Sequence, residues 1–244
     1  MTVLILGGTA EARALARELV EDGLAVLSSL AGRVSAPALP VGEVRIGGFG
    51  GAMGLQHFLE QQQIDAVVDA THPFAAEISR NAATATRAAG LPLLRLARPG
   101  WGDHPDAGRW TWVADAQAAV LATGAQRPFL TTGRQTLEAF LPWAERRVLV
   151  RVVERPTIAL PVTWQVICSR GPYRYQAERQ LMLDHGCDVL VTKDSGGSYT
   201  RGKLDAAGDL DLPVVVISRP PVPPGVPTVP TVAAVSRWLA AFVA

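Results

Sequence analysis

Cysteine is almost absent from this chain, and so is lysine. Cys168 and Cys187 are the only 2 cysteines among 244 residues, which excludes both a zinc ribbon and a disulfide scaffold. We expect both to be buried, reduced thiols. Lys193 and Lys203 are the 2 lysines, against 21 arginines. This rarity makes both lysines conspicuous.

The sequence also lacks any strong signal for a membrane or for nucleic acid. No uncharged apolar run reaches the ~18 residues that a membrane helix needs. The first residues contain no basic region, long apolar stretch or small-residue cleavage site, so we expect no signal peptide. The formal net charge of +1 removes the electrostatic case for a dedicated nucleic-acid binder. We therefore expect a soluble, cytoplasmic protein with no membrane and no nucleic-acid partner.

Apolar residues make up 48% of the chain and charged residues 18%, which is typical of a folded globular protein. Short β-branched runs alternate with helical stretches from end to end, the pattern of βα units on a parallel sheet. The predicted fold class is α/β, with two Rossmann-like three-layer domains. We place the first over 1–100 and the second over 113–230, and the helix at 231–243 is a candidate to return to the first.

The predicted elements follow from apolar periodicity. The predicted strands lie at 3–6, 25–29, 43–46, 64–70, 93–96, 129–132, 147–153, 165–169, 189–192 and 214–217. The predicted helices lie at 10–21, 54–62, 74–89, 114–122, 135–143, 174–185, 200–207 and 231–243. Six prolines between Pro220 and Pro230 predict a segment without regular structure.

The first strand runs into a glycine turn, Gly7-Gly8-Thr9, that opens a helix. Backbone N–H groups at a helix N-terminus attract phosphate, so this turn is a candidate cofactor site. It departs from the full G-x-G-x-x-G pattern, because Thr9 and Ala12 stand where the second and third glycines would be. A turn needed only for tight packing is the alternative.

Cofactor choice is predicted from the end of the second strand. Ser28 and Ser29 stand where NAD-binding sheets place a carboxylate, and Arg33 follows them. Hydroxyls with a guanidinium suit a 2′-phosphate and so favour NADPH over NADH. A solvated loop arginine is the equal alternative for Arg33.

Two further strand ends carry candidate ligand contacts. Gly47 and Gly48 open a glycine loop after the third strand, which suggests close backbone approach to a ligand or, alternatively, a flexible loop. Thr71-His72-Pro73 follows the fourth strand. Pro73 suits the first position of a helix, and His72 is expected to face the crevice where such sheets bind ligands.

In the second half, basic residues stand at successive strand ends. Arg134, Arg151, Arg170 and Lys193 could receive several carboxylates, although some are expected to pair with Asp or Glu. Tyr199 and Lys203 match the Tyr-x-x-x-Lys spacing of short-chain dehydrogenases. Their place so far along the chain argues against that role.

Seven strings together carry a family resemblance. They are Ile5-Leu6-Gly7-Gly8-Thr9 with Glu11-Ala12, Ala31-Gly32-Arg33, Gly47-Gly48-Phe49-Gly50-Gly51, Asp69-Ala70-Thr71-His72-Pro73-Phe74-Ala75, Thr132-Gly133-Arg134, Arg170-Gly171-Pro172 and Thr192-Lys193-Asp194-Ser195-Gly196-Gly197. With them the chain resembles, over essentially its whole length, the aerobic-type precorrin-6A reductases of cobalamin biosynthesis, which are related to the cobalt-precorrin-6A reductases. Tyr173 and Asp194 depart from the residues that are commoner in that family, Phe and Asn.

The resemblance implies hydride transfer from NADPH to one double bond of the macrocycle of precorrin-6A, giving precorrin-6B, with the second hydrogen arriving as a proton. It implies a cofactor in the first domain and an active site in the cleft between domains. The implied cofactor contacts are Gly7, Gly8, Thr9, Glu11, Ser28, Ser29, Arg33, Gly47, Gly48, Thr71, His72 and Pro73. The implied substrate contacts are Arg134, Arg151, Arg170, Gly171, Lys193, Ser195 and Gly196. The candidates for proton delivery are His72, Tyr173 and Asp194, with water as an equal alternative.

Two rival interpretations remain open at this point. One is a short-chain dehydrogenase or epimerase acting on a small carbonyl or sugar substrate. The other is a nucleotide- or tetrapyrrole-binding module without turnover. We expect no metal site, and a monomer or weak homodimer.

Overall fold

The computed structural model describes residues 1–32 and 38–242, and the chain divides into two compact units. The first unit comprises Met1–Pro99 together with the chain from Pro220 onward, and the second comprises Gly100–Arg219. The second unit therefore begins earlier than residue 113, because Trp101 and Trp110 belong to its hydrophobic core. It also ends before the proline-rich segment.

The first unit is built on a sheet of six strands within the described residues. The strands are Thr2–Leu6 (β1), Ala25–Leu30 (β2), Glu43–Ile46 (β3), Ala66–Asp69 (β4), Leu93–Leu96 (β5) and Thr228–Val229 (β12). Their order is β12-β5-β4-β1-β2-β3, and every neighbouring pair is parallel. The helices are Ala10–Glu21 (α1), Gly51–Gln61 (α2), Ala76–Ala89 (α3) and Val232–Ala240 (α7).

Alternate residues of β1 face two different cores. Ile5 packs with Leu15 of α1 and Leu239 of α7, whereas Leu4 packs with Leu55 of α2 on the other side of the sheet. A central parallel strand is covered by helices on both faces, which is why it reads as a continuous apolar run. The C-terminal helix α7 thus belongs to the first unit.

The second unit repeats this plan. Its strands are Thr111–Val113 (β6), Pro128–Leu130 (β7), Leu149–Val152 (β8), Gln165–Cys168 (β9), Val189–Lys193 (β10) and Val214–Ile217 (β11). They form a parallel sheet in the order β6-β11-β10-β7-β8-β9. The α-helices are Ala116–Leu121 (α4), Tyr175–Asp184 (α5) and Gly202–Asp209 (α6), and 3₁₀ turns span Ala107–Arg109, Arg134–Trp143 and Ser198–Thr200. The predicted α/β class with two parallel-sheet domains is confirmed.

Several local predictions were wrong. The proline-rich segment contains β12, because Thr228 and Val229 lie between prolines and remain able to pair with β5. Residues 134–143 form a 3₁₀ helix rather than an α-helix, with Pro142 inside it. Cys168 is exposed and only Cys187 is buried, since β9 is an edge strand.

Candidate functional site

The strand order of the first sheet identifies where this unit is built to bind a ligand. β1 lies between β2 and β4, so the chain crosses to one side after β1 and to the other side before β4. Ligands of doubly wound sheets bind outside the carboxyl ends of the strands at this switch point. The loops that leave it are Gly7–Thr9 after β1 and Thr71–Pro73 after β4.

The Gly7–Thr9 turn is fixed by hydrogen bonds on both sides. Gly7 N–H donates to the Ser29 carbonyl at 2.9 Å. Thr9 is the N-cap of α1, where its Oγ1 accepts from Ala12 N–H at 3.1 Å and donates to the Ala70 carbonyl at 2.8 Å. The single hydroxyl proton of Thr9 is therefore already used, so the turn has only backbone N–H groups to offer a phosphate.

Gly8 is the residue of this turn that the backbone requires to be glycine. Its φ is +111°, a value that L side chains rarely adopt. A Cβ built on Gly8 would meet no protein atom within 4 Å. The turn thus presents an open backbone surface at the helix N-terminus, which is the shape that a pyrophosphate needs.

Glu11, predicted as a cofactor contact, lies in the first turn of α1. Its carboxylate accepts from Arg98 at 2.7 Å in a partly buried ion pair. A carboxylate beside a phosphate site would repel the ligand. The ion pair with Arg98 offsets that charge. It also connects the segment that follows β5 to α1.

The end of β2 differs from the prediction in one important residue. Ser28 is buried and its Oγ has no hydrogen-bond partner among the described residues, whereas the Ser29 Oγ accepts from Arg45 at 3.3 Å. Arg33 lies outside the described residues. Arg45 was missed by the sequence analysis, because it lies within a strand and not in a loop or a glycine motif.

The glycine loop after β3 is held in place by that same arginine. Gly47 N–H donates to the Leu30 carbonyl at 2.8 Å. The carbonyls of Gly47 and Gly48 each accept from the Arg45 guanidinium at 2.7 Å. A Cβ on either glycine would meet no atom within 4 Å. The loop is consequently anchored and open on one side.

After β4, a buried network positions the Thr71–Pro73 turn. Asp69 Oδ1 accepts from both the N–H (3.1 Å) and the hydroxyl (2.6 Å) of Thr71, while Oδ2 forms a buried ion pair with Arg95 of β5. His72 Nδ1 accepts from Phe74 N–H at 3.2 Å. The proton of a neutral His72 ring is then on Nε2.

Pro73 is not the first helical residue, as predicted, because α3 begins at Ala76 and its N-cap is Ala75. Residues 72–75 form a turn, closed by the bond from Ala75 N–H to the His72 carbonyl at 2.8 Å. Asp69 was not predicted as a site residue. Its buried partner Arg95 is 26 residues away in sequence, a separation at which no local pattern signals the pair.

The second sheet has its own switch point, between β7 and β10. The loops that leave it carry Thr132-Gly133-Arg134 and Lys193-Asp194. Arg134 forms a half-buried ion pair with Glu154 at 3.2 Å. Lys193 ends β10, and burial lowers the pKa of its ammonium group to about 8. The predicted basic residues at these two strand ends therefore lie at the ligand-binding edge of this unit.

Arg151 differs from the other predicted basic residues because it is 5% exposed. It forms a buried ion pair with Glu178 of α5, and its guanidinium carbon lies 3.7 Å from the centroid of the Tyr173 ring. The positive charge of Arg151 is therefore neutralised by Glu178 inside the protein. This geometry supports a structural role for Arg151 beneath the Ser169–Tyr173 loop rather than the predicted contact with substrate.

The Ser169–Tyr173 loop presents Arg170 and Gly171 next to that pair. Tyr173 hydroxyl donates to the Ser169 carbonyl at 2.9 Å, which closes the loop, and Tyr173 N–H donates to the Tyr199 carbonyl at 3.0 Å. Arg170 itself is exposed. The Tyr173 hydroxyl proton is thus engaged within the loop, which disfavours Tyr173 as the proton donor.

Asp194 is also occupied by internal contacts. Its Oδ1 accepts from Trp101 N–H at 2.9 Å, and its Oδ2 lies 3.1 Å from Arg219 Nε. These contacts are those of a structural carboxylate that fixes the start of the Lys193–Gly197 loop. Within that loop Ser195 N–H donates to the Lys193 carbonyl at 2.7 Å, and Gly196 has a φ of +64°.

Tyr199 and Lys203 do not form a catalytic pair. Tyr199 is 55% exposed, whereas Lys203 is 3% exposed. Lys203 Nζ lies 5.2 Å from the centroid of the Trp101 ring, and burial lowers its pKa to about 7. One side chain faces solvent and the other the core, so the geometry disfavours the short-chain dehydrogenase interpretation.

Within residues 1–32 and 38–242, no group of three or more His, Cys, Asp or Glu side chains is arranged to hold a metal ion. No helix there has both the length and the apolar character to cross a membrane.

Comparison with known proteins identifies the family. The family model described as precorrin-6x reductase CbiJ/CobK matches residues 2–240. The precorrin-6A reductase of Rhodococcus erythropolis is 50% identical over 240 residues, covering 97% of this chain and 96% of that protein. The cobalt-precorrin-6A reductase of Salmonella typhimurium is 32% identical over 261 residues, covering 98% and 97%.

A solved structure of CobK precorrin-6A reductase agrees with these relatives. It has a TM-score of 0.92 and 39% sequence identity, and the alignment covers 99% of this chain and 96% of that one. The whole length of the chain, in both units, therefore belongs to the precorrin-6x reductase CbiJ/CobK family.

Proposed function

We propose that this protein is an NADPH-dependent reductase that converts precorrin-6A to precorrin-6B. The observation that carries the proposal is the similarity to precorrin-6A reductases, at 50% identity, over 97% of the chain. The geometry of the two sheets supports it, because their ligand-binding edges carry different chemical groups. The first edge offers backbone N–H groups and glycines, and the second offers cations.

The residues at the first edge fit a dinucleotide. Gly8, Gly47 and Gly48 each leave open space where a Cβ would stand, so the backbone there can approach a ligand closely. Ser28 holds a buried hydroxyl without a partner among the described residues, which is unusual unless a further group completes its hydrogen bonding. These four residues are the ones we assign to the cofactor with most support from the structure.

A bound nicotinamide would supply the hydride. The protein's own contribution is to fix the turns around it. Thr9 joins the first turn to Ala70, and Asp69 holds the next turn through Thr71. Because hydride transfer needs donor and acceptor carbons close to contact, a rigid arrangement of this edge contributes to the rate.

The second edge suits the carboxylate side chains of a tetrapyrrole. Arg134, Arg170 and Lys193 stand at or just beyond three different strand ends, and we propose that they bind these carboxylates. Lys193 is mostly protonated at neutral pH, because its pKa is about 8. Gly171, Ser195 and Gly196 would contact the same ligand from the adjoining loops.

The second hydrogen of the reduction arrives as a proton. The hydroxyl of Tyr173 and the carboxylate of Asp194 are both engaged by protein groups. We therefore propose that the proton comes from His72 or from water. In the neutral ring that the Phe74 contact favours, Nε2 is the atom that carries the proton.

The test follows NADPH absorbance with the purified protein, precorrin-6A and, in parallel, the cobalt-containing analogue. We expect NADPH oxidation and a product heavier by two hydrogens. If the protein binds both macrocycles but turns over neither, the proposed enzymatic activity is wrong and a binding module is favoured. The parallel arms show which form of the macrocycle the enzyme prefers.

A further inference from the structure

Arg45 occupies a position at the first sheet that none of the predicted roles explains. It lies on β3 directly opposite Ser29 of β2. Its Nη1 donates to the Ser29 Oγ and to the Gly47 carbonyl, and its Nη2 donates to the Gly48 carbonyl. The guanidinium carbon lies 3.9 Å from the centroid of the Phe49 ring. The cation is therefore held rigidly beside the end of β2.

These contacts leave part of the guanidinium unused. A guanidinium has five N–H donors, and three of them go to Ser29, Gly47 and Gly48. In the described part of the chain no acceptor meets Nε–H or the second hydrogen of Nη2. Nε–H and one hydrogen of Nη2 lie side by side on one edge of a guanidinium, and this fork binds phosphate oxygens in a bidentate manner.

The charge of Arg45 is also not neutralised by any carboxylate of the described residues. Within residues 1–32 and 38–242 no carboxylate lies within 4 Å of its guanidinium, in contrast to Arg95 and Arg98 of the same unit. The acceptors it meets are neutral oxygens, and partial burial lowers its pKa from the usual value. A half-buried cation without a counter-charge would be stabilised by an anion arriving from solvent.

We propose that Arg45 binds the 2′-phosphate of NADPH and sets the preference for NADPH over NADH. The inference rests on the proposed function, in that the cofactor must lie at the carboxyl edge of the first sheet. In such sheets, the residues that bind the hydroxyl or phosphate at the ribose 2′ position lie beside the end of β2. That is where the Arg45–Ser29 pair stands.

A purely structural role is the competing explanation, since Arg45 also anchors the glycine loop. The two roles differ in what they do to ligands. Loss of the loop anchor weakens NADPH and NADH together, because both share the pyrophosphate and nicotinamide halves. Loss of a phosphate contact weakens only the ligands that carry a 2′-phosphate. The ratio of the two affinities therefore separates the roles.

The experiment measures dissociation constants for NADPH, NADH, 2′,5′-ADP and 5′-AMP by calorimetry in the wild type, Arg45→Gln and Arg45→Lys. In Arg45→Gln we expect about ten- to 150-fold weaker binding of the two 2′-phosphorylated ligands. NADH and 5′-AMP should weaken only by the smaller loss that comes from the loop anchor, so the preference for the 2′-phosphorylated ligands should fall. Arg45→Lys keeps the charge but loses the fork, so it should fall between the wild type and Arg45→Gln.

Arg87→Gln is the matched control, because it removes an exposed arginine charge from α3 in the same unit. It should leave all four constants unchanged. Equal weakening of NADPH and NADH in Arg45→Gln would overturn the inference and leave Arg45 as a loop anchor. An unchanged ratio, with the preference lost instead in Arg33→Ala, would overturn it in favour of Arg33.

Failure of the proposed function has a different signature. If the wild type binds NADH as tightly as NADPH, and 5′-AMP as tightly as 2′,5′-ADP, the proposed cofactor preference is wrong before any variant is made. If Arg45→Gln does not fold, as judged by circular dichroism, the comparison of Arg45→Lys with the wild type decides the inference alone.

Discussion

The two units share one architecture and differ in what their loops present. Each is a six-stranded parallel sheet with a switch point, at β1/β4 in the first and β7/β10 in the second. Each also buries an arginine–carboxylate pair, Asp69–Arg95 in the first unit and Arg151–Glu178 in the second. The fold thus fixes where a ligand binds, and the loop residues decide which ligand it is.

The loops of the first unit use the backbone. Gly8 and the glycine loop offer N–H groups and open space, which suits phosphate groups of a dinucleotide. The loops of the second unit use long side chains, Arg134, Arg170 and Lys193, which suit several separated carboxylates. We propose a division of labour, in which the first unit binds the dinucleotide and the second binds the tetrapyrrole.

The largest expected effect concerns the buried pair of the second unit. Arg151→Met removes the ion-pair partner of the buried Glu178 carboxylate, which should lower the free energy of unfolding by about 3–5 kcal/mol. Replacing both partners, with Glu178→Leu added, should restore most of that loss. Urea unfolding of the single and double variants measures both effects.

The control for this variant is Arg109→Met, since Arg109 pairs with Asp211 on an exposed surface of the same unit. Such pairs contribute about 0–1 kcal/mol. If Arg151→Met lowers the free energy of unfolding as little as Arg109→Met does but abolishes tetrapyrrole binding, Arg151 is the substrate contact predicted from the sequence. The structural assignment would then be wrong.

The strands and the candidate loops that follow them could be predicted because their signals are local. β1, β4, β10 and β11 are each built around three or four consecutive apolar residues, and each leads into a loop with glycines, hydroxyls or charges. Parallel strands bring their carboxyl ends to one edge, so the order of motifs in the chain already placed several candidates at the same side of a sheet.

The roles of individual charged side chains could not be predicted in this way. Arg151 follows Val150 and Lys193 follows Thr192 near the end of a strand, yet Arg151 is paired in the core and Lys193 ends its strand at the carboxyl edge of the sheet. The difference arises from Glu178, which is 27 residues from Arg151 in sequence. β12 was missed for a similar reason, since two residues carry no periodicity and pairing with β5 alone creates the strand.

The next prediction tests the backbone character of the first unit. Gly8→Val places a branched side chain at a φ of +111°, in the space that a phosphate would occupy. Loss of two charge-assisted N–H contacts would cost about 3 kcal/mol, or roughly 100-fold in NADPH affinity. Tetrapyrrole affinity should not change. Calorimetry with each ligand separately checks both statements.

Gly23→Val is the matched control for backbone strain. Gly23 has a φ of +80° and open space around it, but it follows the C-terminal end of α1, away from the carboxyl edge. Both variants should lose stability from the strained backbone, by about 1–3 kcal/mol. If Gly23→Val weakens NADPH binding as much as Gly8→Val, the effect is strain and the turn is only structural.

The cationic character of the second unit is tested by Lys193. Lys193→Ala should weaken tetrapyrrole binding by about ten- to 150-fold and leave NADPH binding nearly unchanged. Lys203 cannot replace Lys193 in binding the tetrapyrrole, because it is buried beside Trp101. Equal weakening of both ligands would contradict the division of labour between the units.

The pH dependence of the dissociation constant for the tetrapyrrole gives a sharper test of the role of Lys193. Lys193 has a pKa of about 8, and a bound carboxylate raises it by favouring the charged form. Wild-type affinity for the tetrapyrrole should therefore be constant below pH 8. It should fall as pH rises from about 8 toward the higher pKa of the complex, by up to about tenfold per pH unit. In Lys193→Ala this fall should be absent over the same range.

The smallest expected effect belongs to Tyr199, which the short-chain dehydrogenase interpretation would make essential. Its side chain is 55% exposed, and the contact that it makes with Tyr173 goes through its backbone carbonyl, which Tyr199→Phe retains. Substitutions at such surface positions change the free energy by about 0.5 kcal/mol or less, so the rate of NADPH oxidation with precorrin-6A should stay within about twofold of the wild type. A near-complete loss of turnover, with both ligands still bound, would place the chemistry at Tyr199 and remove the basis for separating a backbone-lined unit from a cationic one.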